Sequence, residues 1–199
     1  MPLHLASIPL NLSINIFMLK LYAPIKIPFT DIIVSETLKI MNEFNGSRLI
    51  LKEIPLSNNI NSINSYFNSR GISNLLTKLS FKRLGGELDY RNCHVDGSSR
   101  AGWKCSVVIP VSGCKNTFQY WYNGKYTNKF VVGNPSYGVI TWDSTPNYLG
   151  KVEIFDSPML CRVDVPHNAV GKDDEYRITC TLRFAGNETF EYLQEHLEN

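Results

Sequence analysis

Charge imbalance is what this chain has least of. Its 20 Lys and Arg stand against 18 Asp and Glu, a formal net charge of +2 over 199 residues. A balance that close to neutral gives no footprint for an obligate nucleic-acid partner or an anionic membrane. Paired cysteines are lacking as well. Cys93, Cys105, Cys114, Cys161 and Cys180 are scattered, odd in number and form no CxxC. That sets aside a disulfide framework and a zinc ribbon and points to reduced thiols. No apolar run reaches membrane-spanning length, and no low-complexity tract suggests disorder. The apolar N-terminal stretch lacks a basic n-region, and Pro9, Asn11, Ser13 and Asn15 interrupt it, so it does not read as a signal peptide. These exclusions leave a cytoplasmic protein with no membrane and no obligate nucleic acid among its partners. Histidine is scarce too. His4, His94, His167 and His196 are the full set, so imidazole chemistry has few candidates.

What is present is enough apolar residue, 43%, to build a core in one domain spanning 1–199. Leu10, Leu12, Ile14 and Ile16 alternate with polar residues and predict an opening strand. "TDIIVSETLKIMNEFNG" has helical spacing and a stop at Asn45-Gly46, and "SRLILKEIP" predicts a short strand. "SNNINSINSYFNSRG" predicts a Ser-capped helix ended by Gly71, and "ISNLLTKLSFKRLGG" a further helix or helix-like link ended by Gly85-Gly86. From about residue 87 the texture changes to short β-like runs broken by Gly, Asn, Asp and Ser. The expected class is mainly β with flanking helices, a double-sheet jelly roll or barrel. Residues 1–85 form a supporting region with an N-terminal strand and helices, 86–185 the β core, and 186–199 a C-terminal helix.

One stretch of that core carries chemistry: "NCHVDGSSR", residues 92–100. In a strand, residues two apart share a face, so His94 and Asp96 can converge on one point while Cys93 and Val95 turn away. The pair alone is weak, since a surface His–Asp hydrogen bond would look the same. A third ligand would strengthen it. His4 and His196 lie near the ends in terminal segments, which leaves His167 in "RVDVPHNAV". Two imidazoles and a carboxylate leave other metal positions open, which suits non-haem Fe(II). Arg177 follows His167 by ten residues, across "GKDD". If the two flank a hairpin, its guanidinium points into the same barrel and can grip a carboxylate bidentately, with Thr179 adding a hydroxyl.

The set His94-x-Asp96, His167, Arg177-x-Thr179 resembles the Fe(II)- and 2-oxoglutarate-dependent oxygenases, built on a cupin-type double-stranded β-helix. "KCSVVIPVSG" and "PMLCRVDVPHNAV" look like text flanking the metal ligands in the prolyl hydroxylase and aspartyl/asparaginyl β-hydroxylase-like branches. The resemblance covers residues 81–185. It implies iron on His94, Asp96 and His167, with 2-oxoglutarate as co-substrate anchored by Arg177 and Thr179, and molecular oxygen as oxidant. The implied outcome is hydroxylation of a C–H bond, with release of succinate and carbon dioxide. The substrate would be a small molecule or an amino-acid or protein side chain.

Other readings stand beside this one. A cupin-like metal-binding module, or a metal-dependent enzyme of the same fold that does not use 2-oxoglutarate, would share the ligands but not need Arg177. Arg177 could instead pair with Asp173, Asp174 or Glu175, and Arg183 alternates onto its face as the rival anchor. Lys104 and Ser106 are further candidates on the next strand. Tyr90 is expected on the His94 face, where it could touch the co-substrate. Phe118, Tyr120 and Tyr122 share a face that fits either substrate stacking or ordinary packing.

Overall fold

The computed structural model describes residues 19–42, 49–53, 60–72, 75–84, 90–96, 103–131, 134–154, 156–171, 175–184 and 188–197. The strands are β1 (Tyr22–Pro24), β2 (Leu49–Glu53), β3 (Leu75–Leu84), β4 (His94–Asp96), β5 (Cys105–Ser112), β6 (Phe118–Asn123), β7 (Tyr126–Val131), β8 (Asn134–Trp142), β9 (Asn147–Glu153), β10 (Met159–Arg162), β11 (His167–Val170) and β12 (Tyr176–Phe184). The helices are α1 (Thr30–Asn42), α2 (Ile60–Asn68) and α3 (Phe190–Leu197). The predicted strand over residues 10–16 lies outside the described residues.

Two antiparallel sheets carry the fold. The major sheet runs β1-β10-β5-β12-β3-β2 and the minor sheet β7-β8-β4-β11-β6-β9. Consecutive strands β10, β11 and β12 alternate between the sheets, as do β3, β4, β5 and β6. That winding is a double-stranded β-helix, in which core strands β10-β5-β12-β3 are matched by β4-β11-β6-β9.

Alternation along β12 sorts the molecule into two layers. Cys180, Leu182 and Phe184 join Cys105, Val107, Ile109 and Leu160 in a core packed against Ile33 of α1, Ile63 and Phe67 of α2, and Phe190, Leu193 and Leu197 of α3. The helices present matching stripes. Ile33, Thr37 and Met41 recur every fourth residue on α1 and are fully buried. On α3 the Thr189 hydroxyl accepts the Tyr192 N–H and caps the helix. Arg162 of β10 clasps the C-terminal helix, meeting Glu191 and donating through Nε to Lys20 O at 2.8 Å. No described helix is long and apolar enough to cross a membrane.

The structure departs from the sequence expectations at two places. Residues 75–84 form a strand, not a helix-like link. β3 pairs with β12 along its length and with β2 on its other edge, so the β-helix core starts before residue 86. The apolar spacing in "LLTKLSFKRL" fits either period, and the open edge of β12 decides it. His167 and Arg177 also do not flank a hairpin. β11 belongs to the minor sheet and β12 to the major one, so the connection crosses the sandwich.

Candidate metal centre

Register places the candidate ligands. His167 opens β11 and lies opposite His94 of β4 and Trp121 of β6. Directly opposed residues point to the same side of a sheet. Trp121 is fully buried in the cluster with Val108, Met159 and Cys161 of the major sheet, so this side faces the sandwich interior. Asp96 shares the face of His94, and its backbone N–H is fixed by Val163 O at 2.9 Å.

The three side chains meet. Ligand atoms of His94, Asp96 and His167 all lie within 4.8 Å of one another. His94 Nε2 is 3.5 Å from Asp96 Oδ1, and the two imidazoles are 4.5 Å apart between centroids. His167 Nδ1 lies 2.9 Å from Val165 O. A carbonyl only accepts, so the neutral ring carries its proton on Nδ1 and presents Nε2 to the cluster. The donor set fits a metal ion, since two imidazole nitrogens and a carboxylate oxygen lie close enough together to share one.

Arg183, the presumed rival anchor, has a different place. Its Nη2 donates to Asp96 Oδ2 at 2.8 Å, with both side chains nearly buried. The guanidinium also stacks over the Trp103 ring, 4.5 Å from its centroid. Burial pulls the Arg183 pKa below the usual arginine value, and the Asp96 carboxylate pulls it back. The salt bridge leaves Oδ1 of Asp96 turned toward His94. Alternation places Arg183 on the face of Arg177, as expected, but nothing in the sequence signals its pairing with Asp96 or its stacking on Trp103.

Beneath the cluster, His167 and Ala169 alternate along the interior side of β11 and Gly171 follows just past its end, so only small residues follow the ligand. Arg177 reaches this column from across the sandwich, and its Nη2 donates to Ala169 O at 3.1 Å. Two residues of strand separate Ala169 from His167, about 7 Å. Arg177, Thr179, Thr181 and Arg183 are all buried on the β12 face opposite the helical core. Asp173 and Asp174, rival partners for Arg177, lie outside the described residues. Ser106 is buried opposite Arg183 on β5, while Lys104 lends its carbonyl to Val163 and Asp164.

Tyr90 is corrected. It sits in a 3-10 turn, Tyr90–Asn92, and packs against Cys93, Val95, Tyr122 and Ile140. Val95 points away from His94, so Tyr90 lies on the outer face of the minor sheet, where its carbonyl accepts the Trp142 indole N–H at 2.9 Å. A 3-10 turn does not keep the period of two that would have carried Tyr90 onto the His94 face. Tyr120 and Tyr122 pack into the same outer cluster, and Phe118 contacts Tyr120. The open cleft lined by Ser69, Arg70, Glu195 and His196 is on the helical side, across the major sheet from the ligands.

No protein-family model matches the sequence, and no curated protein matches it. Several solved structures are similar to it, among them the following three. A prolyl hydroxylase from Trichoplax adhaerens, in complex with a hypoxia inducible factor oxygen degradation domain peptide fragment, is 14% identical, with 82% of this chain and 83% of that one covered at a TM-score of 0.47. The non-heme monooxygenase ThoJ, in its apo form, is 11% identical over 82% of this chain and 73% of its own, also at 0.47. AviO1 from Streptomyces viridochromogenes Tue57 is 10% identical over 87% and 93%, at 0.40. His94, Asp96 and His167 fit the ligand pattern of the Fe(II)- and 2-oxoglutarate-dependent oxygenases.

Proposed function

We propose that this chain is a non-haem Fe(II)- and 2-oxoglutarate-dependent oxygenase that hydroxylates a C–H bond. The observation that carries the reading is the position of Arg177, buried and tied to the Ala169 carbonyl about one strand repeat below His167. A metal-binding module has no use for a buried cation beneath its ion, whereas a dicarboxylate spanning the column does.

His94, Asp96 and His167 would hold the iron. The absence of cysteine from the donor set favours iron over structural zinc, and burial holds the nearby Cys161 thiol protonated. When bound, iron with 2-oxoglutarate and molecular oxygen would supply the oxidation, oxygen being the oxidant that ends in the hydroxyl group and in succinate. The chain's own part is orientation and dryness. Val165 O fixes the His167 ring, Arg183 fixes Asp96, and Arg177 with Thr179 takes the far carboxylate. Val108, Met159, Cys161 and Trp121 exclude water along the other flank. Five thiols without a disulfide support a cytoplasmic setting. The substrate is a small molecule or an amino-acid or protein side chain.

The test is succinate formation. Protein, Fe(II) and 2-oxoglutarate in air should yield succinate and carbon dioxide together, and His94→Ala should yield neither. Tight metal binding with no succinate from the parent under any substrate would replace the oxygenase by the metal-binding module.

A further inference from the structure

We propose that Thr117 and Gly171 complete an anion cradle with Arg177, in which the Thr117 hydroxyl donates to the far carboxylate of the 2-oxo dicarboxylic acid. This rests on the co-substrate reading given above and adds two residues to it.

Thr117 stands immediately before β6. It alternates with Gln119 and Trp121, on the interior side, and is 1% exposed. Its backbone is fully engaged, the N–H donating to Cys114 O at 2.9 Å and the carbonyl accepting from Ile154 N at 2.8 Å. Its hydroxyl is not. Thr117 Oγ1 is buried with no hydrogen-bond partner among the described residues. A buried hydroxyl left so costs stability, and such groups ordinarily find a partner.

Gly171 shows where that partner would sit. A Cβ placed on it would lie 3.2 Å from Thr117 Oγ1, 3.7 Å from Arg177 Cδ and 3.9 Å from Arg177 Nη1. The hydroxyl and the guanidinium therefore flank one spot, and glycine is the residue that leaves it open. Arginine only donates, and a threonine hydroxyl can donate, so the spot calls for an acceptor of negative charge. A carboxylate fits, with the guanidinium carrying the charge and the hydroxyl fixing the carboxylate's rotation.

The experiment compares two 2-oxo acids on anaerobic Fe(II)-loaded protein by calorimetry. 2-Oxoglutarate carries the far carboxylate; 2-oxopentanoate puts a methyl group in its place. Thr117→Val should weaken 2-oxoglutarate about tenfold, the loss of one hydrogen bond to a charged group, and leave 2-oxopentanoate unchanged. Thr117→Ser should bind both as the parent does. Gly171→Ala, which fills the spot, should also weaken 2-oxoglutarate selectively, and it carries the test if the valine variant does not fold. Should Thr117→Val and Gly171→Ala bind 2-oxoglutarate within twofold of the parent while Arg177→Ala loses it, the cradle is wrong and the co-substrate reading stands. Should the parent bind both acids equally, or neither, while retaining iron, the co-substrate reading falls and takes the cradle with it.

Discussion

Arg183 and Asp96 form a buried ion pair, Nη2 to Oδ2 at 2.8 Å, at the point where the two sheets of the β-helix face each other. The guanidinium occupies one carboxylate oxygen and turns the other toward His94. In metal-free protein this pair is also what balances the Asp96 charge. Arg183→Met should therefore destabilise the metal-free protein by about 3–5 kcal/mol, because it strands a buried carboxylate. Added Co(II) should recover much of the loss by supplying the counter-charge. Urea unfolding with and without metal reads both effects. Equal loss in both conditions would mean that metal does not reach Asp96.

Gly113 controls how β12 begins. Its φ is +63°, and a Cβ there would meet Tyr176 O at 2.1 Å and Arg177 Cα at 3.3 Å. Gly113→Ala combines left-handed strain with a backbone clash, so a loss of more than about 2 kcal/mol is expected in thermal or urea unfolding. Arg177 should move with it, weakening 2-oxoglutarate more than metal. A variant as stable as its parent would contradict the close approach.

The thiols should be silent. All five cysteines are buried and none is in a disulfide, and desolvation pushes the Cys105 thiol up to about 12, with Asp164 adding to it. A raised thiol pKa keeps the group protonated through the ordinary pH range, and the thiolate is the reactive form. Ellman's reagent at pH 8 should find almost no thiol in native protein and five after unfolding. Rapid native titration of several would mean the cores are looser than described.

The candidate metal ligands are legible in the sequence because strand alternation is a local rule. His94 and Asp96 had to share a face wherever β4 lay, and scarcity of histidine left His167 as the third candidate. The clash of helical and strand periods in residues 75–84 could not be settled locally, since partners on both edges make β3 a strand. Tyr90 escapes the alternation because a 3-10 turn, not a strand, leads into β4. Arg177 reaches the interior from β12 even though β11 and β12 form no hairpin. The pairing of Arg183 with Asp96 joins residues far apart in the chain and leaves no local trace.

In the proposed function, His94, Asp96 and His167 hold iron above a carboxylate anchor at Arg177. Titrating 2-oxoglutarate into anaerobic Fe(II) protein and following the weak visible charge-transfer band tests it most directly. The parent should saturate at one equivalent, His94→Ala and His167→Ala should show no band, and Arg177→Ala should need roughly thirty- to a thousand-fold more co-substrate, the loss of a charge-assisted bidentate contact. A parent that binds iron yet shows no band at any 2-oxoglutarate concentration would contradict it.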